Sequence, residues 1–217
     1  MSACLNYISD TDCTITYDVR DSHGVMSRYN FTSQDLLEIC GGIPDRNQLF
    51  ANVTITSSSD HAVTVCVASD LYFVFRTINF SLKIIFNDKM FVYQKEQHIG
   101  TSLFLNQVAF ARKLGFVKLK VTAIDYDGTE RVDGYYRWAR LGYQMTDRND
   151  LEDFAEQMRS LSRPEQTLSE LILSEDGYRL WKLIGQTWTG EFRLADNSPS
   201  MLHLRKYLKL KGIDFNP

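Results

Sequence analysis

The chain has 217 residues, 44% hydrophobic and 12% aromatic, with 12 glycines and 4 prolines. These values exclude collagen, low-complexity and mainly disordered sequences. A chain of this length predicts one domain, with room for a small appendage and a core that needs no metal or disulfide staple. With 24 basic against 27 acidic side chains the net charge is −3, which argues against a general nucleic-acid binder.

A membrane-spanning helix needs about 18 successive apolar residues, and the sequence has no such run. The first residues, Met-Ser-Ala-Cys-Leu-Asn-Tyr-Ile-Ser-Asp10, have no basic segment and do not read as a signal peptide. A cytoplasmic protein is therefore expected. The Asn-x-Ser/Thr triplets at Asn30, Asn52 and Asn79 read as chance, and Cys4, Cys13, Cys40 and Cys66 as free thiols. No Cys-x-x-Cys occurs and no histidine stands near a cysteine at zinc spacing, so no metal is expected.

In chain order, Thr14 to Val19 predicts a short strand. Residues 33–40 predict a helix capped by Ser33 and ended by Gly41-Gly42. Asn52 to Thr56 alternates as a strand, and Ser57-Ser-Ser-Asp60 reads as a turn. Ala62 to Ala68 and Leu71 to Phe75, joined through Ser69-Asp70, predict a hairpin. Leu82 to Phe86 and Met90 to Tyr93 are two further strand-like runs around Asn87-Asp88-Lys89, a turn or a bulge. At Gly100 the pattern changes. Leu103, Phe104, Val108, Ala111 and Leu114 recur at helical spacing, with Asn106, Gln107, Arg112 and Lys113 mostly opposite, and Gly115 stops the helix. Val117 to Ala123 alternates as a strand, which makes a right-handed strand–helix–strand crossover.

Gly134 to Leu141 predicts a short aromatic helix ending at Gly142. Leu151, Phe154, Ala155, Met158 and Leu161 form a helical stripe. Thr167-Leu-Ser-Glu170 is a capping box that opens another helix, and Tyr178, Trp181 and Ile184 mark a third, closed by Gly185. Thr187 to Leu194 predicts a strand, and Ser198-Pro199 starts a final helix that runs to Gly212. Its basic tail, Arg205, Lys206, Lys209 and Lys211, reads as a solvated face that suits the helix dipole.

The most informative stretch is Met90-Phe-Val-Tyr-Gln-Lys-Glu-Gln-His-Ile-Gly100-Thr-Ser-Leu-Phe. An apolar strand ends, a polar turn follows, and a helix begins at a glycine. The first N–H groups of a helix lack internal partners and carry the positive end of its dipole, so such a turn suits a phosphate. Other chemistries find no support. The turn is neither a P-loop nor a dinucleotide fingerprint, and His23, His61, His98 and His203 are scattered away from any Ser/His/Asp or Cys/His set. The aromatic run Tyr72-Phe-Val-Phe75 has no basic stripe beside it and reads as buried strand.

Ile99-Gly100-Thr-Ser-Leu-Phe, its helix, Lys113-Leu-Gly-Phe116, a strand, and a helix ending Arg140-Leu-Gly-Tyr143 together resemble the GNAT acetyltransferase superfamily. Gly134-Tyr-Tyr-Arg-Trp-Ala-Arg-Leu-Gly-Tyr143 is similar to the G-Y-Y-x-W-x-R-x-G-[FY] signature of a GNAT-like group found in bacteria and phage-associated proteins. The resemblance covers residues 82–145 and continues more loosely from Tyr178 to Gly212. It implies an α/β (α+β) fold, a mixed twisted sheet with helices on both faces. The acyltransferase domain would span 1–145, and 146–217 would be a helical C-terminal extension on the same domain.

The implied activity is transfer of an acyl group from acetyl-CoA, or another acyl-CoA, to a small-molecule or peptide amine, with no metal, nucleic acid or membrane involved. The implied pyrophosphate site is the turn Lys95, Gln97, His98, Ile99, Gly100 and Thr101. Pantetheine would pair with strand backbone at Phe91 and Val92, entering through a splay beside Val117–Ala123. Glu96 and Asp125 are the candidate bases, and Tyr135 and Tyr136 the candidate acids. The chain departs from the family pattern in three places. Lys95 and His98 stand where the family's R/Q-x-x-G-x-G/A has its first residue and first glycine, so His98 either pairs with an anion or faces solvent. Trp138 occupies the usual tyrosine position, and no acid sits cleanly on the strand before the turn. A degenerate GNAT fold that serves as a binding or assembly module is the alternative. Pairing into a homodimer, as many relatives do, stays open.

Overall fold

The computed structural model describes residues 3–8, 14–43, 50–93, 99–125 and 134–215. They form two compact units, which divide between Val117 and Lys118. The architecture is mixed α/β, the expected class, and is consistent with the α+β arrangement the resemblance implies.

The first unit contains strands β1 (Ala3–Ile8), β2 (Thr14–Arg20), β3 (Phe50–Ser59), β4 (Ala62–Ser69), β5 (Tyr72–Asn79) and β6 (Ile84–Val92). Its helices are α1 (Val25–Tyr29), α2 (Ser33–Ile39) and α3 (Ile99–Lys113). The strands are neighbours in sequence order. All pairs are antiparallel except β2 and β3, which run parallel with α1 and α2 between them. Alternation sets the inner face: Val65 and Val67 of β4 and Tyr72, Val74 and Ile78 of β5 are buried. α2 packs on β4 and α3 on β6, and the two helices bury Leu36, Leu37, Ile39, Leu103, Phe104 and Val108. Each such side chain contributes about 1.5–3 kcal/mol by leaving water.

Several boundaries differ from the sequence reading. The cap of α2 is Thr32, not Ser33, because Asp35 completes a capping box with Thr32. The expected turn at Ser57–Asp60 is mostly strand, since β3 stays paired with β4 through Ser59. The serine hydroxyls do not break the strand. Ser57 donates to the Arg20 carbonyl and accepts from the His23 amide instead. The two runs around Asn87-Asp88-Lys89 are one strand. Phe75 pairs with Lys89 and Arg76 with Asn87, so Asp88 is the extra residue of a bulge. The buried Arg76 guanidinium seals the bulge by donating to the Lys89 carbonyl at 2.8 Å. Thr77 Oγ1 donates to the Asp88 carboxylate at 2.8 Å.

Gln107, expected on the polar face of α3, is 1% exposed. It exchanges two hydrogen bonds with buried Asn87, at 2.9 and 3.0 Å, which ties α3 to the bulged part of β6.

The second unit contains β7 (Lys118–Ala123), α4 (Gly134–Arg140), β8 (Gln144–Met145), α5 (Arg148–Ser160), α6 (Leu168–Ile172), α7 (Glu175–Ile184), β9 (Trp188–Arg193) and α8 (Pro199–Lys211). Its strands run in the order β7-β9-β8, all antiparallel. The starts of α6 and α8 fall where Thr167 and Ser198 predict them, each side chain accepting from a main-chain N–H of the first turn. The stripe on α5 is narrower than expected: Phe154 and Met158 are buried, whereas Leu151 and Leu161 are 43% and 44% exposed. Trp181, Trp188, Tyr143 and Phe192 fill the core.

Candidate functional site

β6 ends at Val92 with Phe91 exposed and Val92 half-buried. α3 opens with Ile99 buried and Gly100, Thr101 and Ser102 half-buried, and its first turn carries no acid. Lys95, Glu96, Gln97 and His98 lie outside the described residues. The start of α3 is backed onto the end of β6. A Cβ built on Gly100 would lie 3.5 Å from Val92 Cγ2 and 3.7 Å from Met90 Cε. Those are ordinary contacts, and the backbone at Gly100 is not left-handed. Among the described residues neither packing nor torsion demands glycine there.

β6 belongs to the first unit; β7 and the aromatic signature belong to the second. Beyond the end of β7, Asp125 accepts from Thr187 Oγ1, and its own amide donates to the same oxygen at 3.1 Å. This pair of bonds joins the segment after β7 to the residue before β9.

The signature 134–143 forms the packing centre of the second unit. A Cβ on Gly134 would lie 2.8 Å from the Ile124 carbonyl oxygen. The Tyr135 carbonyl accepts from both Trp188 Nε1 at 2.6 Å and Trp181 Nε1 at 3.2 Å. Its phenol donates to the Lys182 carbonyl at 2.5 Å, and its ring meets Tyr136 edge-on. Tyr136 is 5% exposed, edge-on to Tyr178, with the Lys182 ammonium 5.4 Å from its ring centre. Trp138 packs edge-on against Tyr143. Gly142 sits at φ 101°, and a Cβ there would come within 2.6 Å of the Ser200 carbonyl oxygen.

The last charged member of the signature, Arg140, is placed differently. Its guanidinium lies 4.2 Å from the ring centre of Tyr178 and 5.2 Å from that of Tyr207, beside a cavity. Sequence reasoning passed over this residue as a motif position. The rings that hold it come from α7 and α8, and nothing local announces them.

Among the described residues no group of three or more His, Cys, Asp or Glu side chains could hold a metal ion, and no helix is long and apolar enough to cross a membrane. Cys40 and Cys66 are free thiols. Burial pushes the Cys40 thiol up to about 12, against the nearby positive charge of Arg76, which rules it out as a thiolate nucleophile at neutral pH. No protein-family model matches the chain, and no curated protein does.

Proposed function

We propose that the chain is an acyl-CoA-dependent N-acyltransferase of the GNAT type that acts on an amine. The reading rests on the resemblance of residues 82–145. The observation that carries it is Gly100, a glycine at a helix start that neither its contacts with the described residues nor its torsion requires. Approach of a diphosphate to main-chain N–H groups gives that glycine a reason. The bulge at Asp88, just upstream, is a second support, because bulges recur beside active sites and re-aim the groups around them.

In the reaction the amine nitrogen attacks the thioester carbonyl carbon. A C–N bond forms and the C–S bond breaks. The ammonium proton passes to a base, Asp125 or Glu96, and the departing thiolate takes a proton from Tyr136 or Tyr135. The Tyr135 hydroxyl donates to the Lys182 carbonyl and would have to leave that bond to act. Phe91 and Val92 would offer main chain to the pantetheine amides. Lys95, Gln97, His98, Ile99, Gly100 and Thr101 would hold the diphosphate.

The alternative is a binding or assembly module that has lost catalysis. The buried, committed phenol of Tyr135 and the non-glycine His98 favour it.

Acetyl-CoA binding separates the two. At a concentration of about a hundred times Kd the ligand should add about 2.7 kcal/mol to stability, read as a rise in Tm. Gly100→Ala should fold as stably as the parent, yet bind acetyl-CoA about tenfold more weakly, equal to about 1.4 kcal/mol. No Tm rise at millimolar acetyl-CoA, or equal affinity in Gly100→Ala, refutes the proposed site. Binding without acetyl transfer to any amine in a broad panel selects the alternative.

A further inference from the structure

We propose that the cavity beside Arg140 in the second unit is a binding site for a small organic monocarboxylate, with Arg140 as its anchor. The cavity, about 310 Å³, is formed by the end of α4, the α6–α7 junction and the face of α8. That volume is at the small end of the range for ligand sites, about 300–1,000 Å³.

Arg140 is half-buried. Among the described residues its guanidinium has no carboxylate or carbonyl partner. It is held instead against Tyr178 and Tyr207. A guanidinium held by aromatic rings keeps its N–H donors, which match a planar carboxylate through two parallel hydrogen bonds. The acid on the cavity wall, Glu175, does not fill this role, because its carboxylate accepts from Arg179 one turn along α7. A cation taken partly out of water without an anion is costly, and an incoming carboxylate relieves that cost.

The remaining lining sets the class of ligand. Ile172, Leu173 and Leu210 provide an apolar wall, which suits an acid with a hydrophobic body rather than a bare inorganic ion. Glu175 and Asp176 occupy the first turn of α7 and work against a doubly charged phosphate at that helix end. The second cation of the lining, Lys211, is exposed and therefore screened, so a single partly desolvated positive charge faces a single negative one. His203 lies in the same wall, 7% exposed, and its ring reports on occupancy.

The test is a titration of the full chain with benzoate, followed through the ring signals of His203 by NMR. Acetate and inorganic phosphate are the comparison probes. Benzoate should give a saturable shift, acetate a weaker one, and phosphate none at the same concentration. Arg140→Lys keeps the charge and loses the fork, so half-saturation should rise at least about tenfold. Leu210 is 69% exposed, so Leu210→Glu should leave the fold intact while placing a competing carboxylate at the rim, and should also weaken benzoate at least about tenfold. A non-saturable response, phosphate binding as tight as benzoate, or unchanged affinity in Leu210→Glu overturns the proposal. So does unchanged affinity in a folded Arg140→Lys.

Discussion

Replacing His203 with glutamine tests how the interior of the second unit controls a proton. Burial drives the His203 pKa from 6.5 down to about 4; the adjacent Arg140 carbonyl offsets part of this, and the positive charge of Lys206 adds to it. The folded protein therefore holds the ring neutral where the unfolded chain protonates it. Between pH 6.5 and about 4 the unfolded state binds the extra proton, so stability falls as pH falls through that window and the loss is complete near pH 4. The full gap corresponds to about 3 kcal/mol, and about 2 kcal/mol of it is already lost at pH 5. Glutamine cannot titrate, yet it keeps an N–H for the Arg140 carbonyl. Urea unfolding of parent and His203→Gln at pH 7.5 and pH 5 gives the comparison, with other titrating groups cancelling in the difference. The parent should lose about 2 kcal/mol more than the variant across that interval. Equal losses would show that the ring charges in the folded state, and the argument from burial would fail.

Tyr135→Phe should destabilise the protein by about 1–2 kcal/mol in chemical unfolding, because it strips the Lys182 carbonyl of a buried donor; Tyr136→Phe should lower acetyl transfer more than it lowers stability. Gln107→Leu should cost about 2 kcal/mol by removing the partner of the buried Asn87 amide, and Asn87→Leu combined with it should cost less than the sum of the two single changes. Additive losses in that double-mutant cycle would show that the amide pair does not couple β6 to α3.

What could be read from the sequence depended on how local each cause is. Thr167 and Ser198 mark helix starts through side chains that bond N–H groups three residues on, and both starts fall as read. Ser33 missed by one residue because Thr32 and Ser33 are both good caps, and only Asp35 decides between them. α1 left no amphipathic stripe in five residues; its start is set by Asp21, whose carboxylate accepts from the Val25 and Met26 amides. Ser57 to Ser59 have turn composition, but pairing with β4 overrides it. The same limit applies to the sites. The polar segment before α3 is a local pattern in the sequence, and Lys95 to His98 lie outside the described residues. Arg140 acquires its surroundings from Tyr178 and Tyr207, which are remote in sequence, so only the folded chain reveals them.

The glycines separate what folding requires from what it leaves unexplained. Gly134 and Gly142 bracket the aromatic signature, and each would drive a Cβ into a carbonyl oxygen at 2.8 and 2.6 Å. Their presence follows from packing within the second unit and needs no ligand. Tyr135, whose carbonyl receives two indoles, and Trp138, set against Tyr143, are accounted for in the same way. A motif that resembles a family signature can thus be explained by the needs of a core, and by itself it carries little weight for catalysis. Gly100 is the opposite case. Among the described residues nothing would meet an alanine Cβ there closer than ordinary contact, yet the chain has glycine. Under the proposed acyl-CoA reading, close approach of a diphosphate to the first turn of α3 is what that glycine would serve, and equal acetyl-CoA affinity in Gly100→Ala would remove that reason.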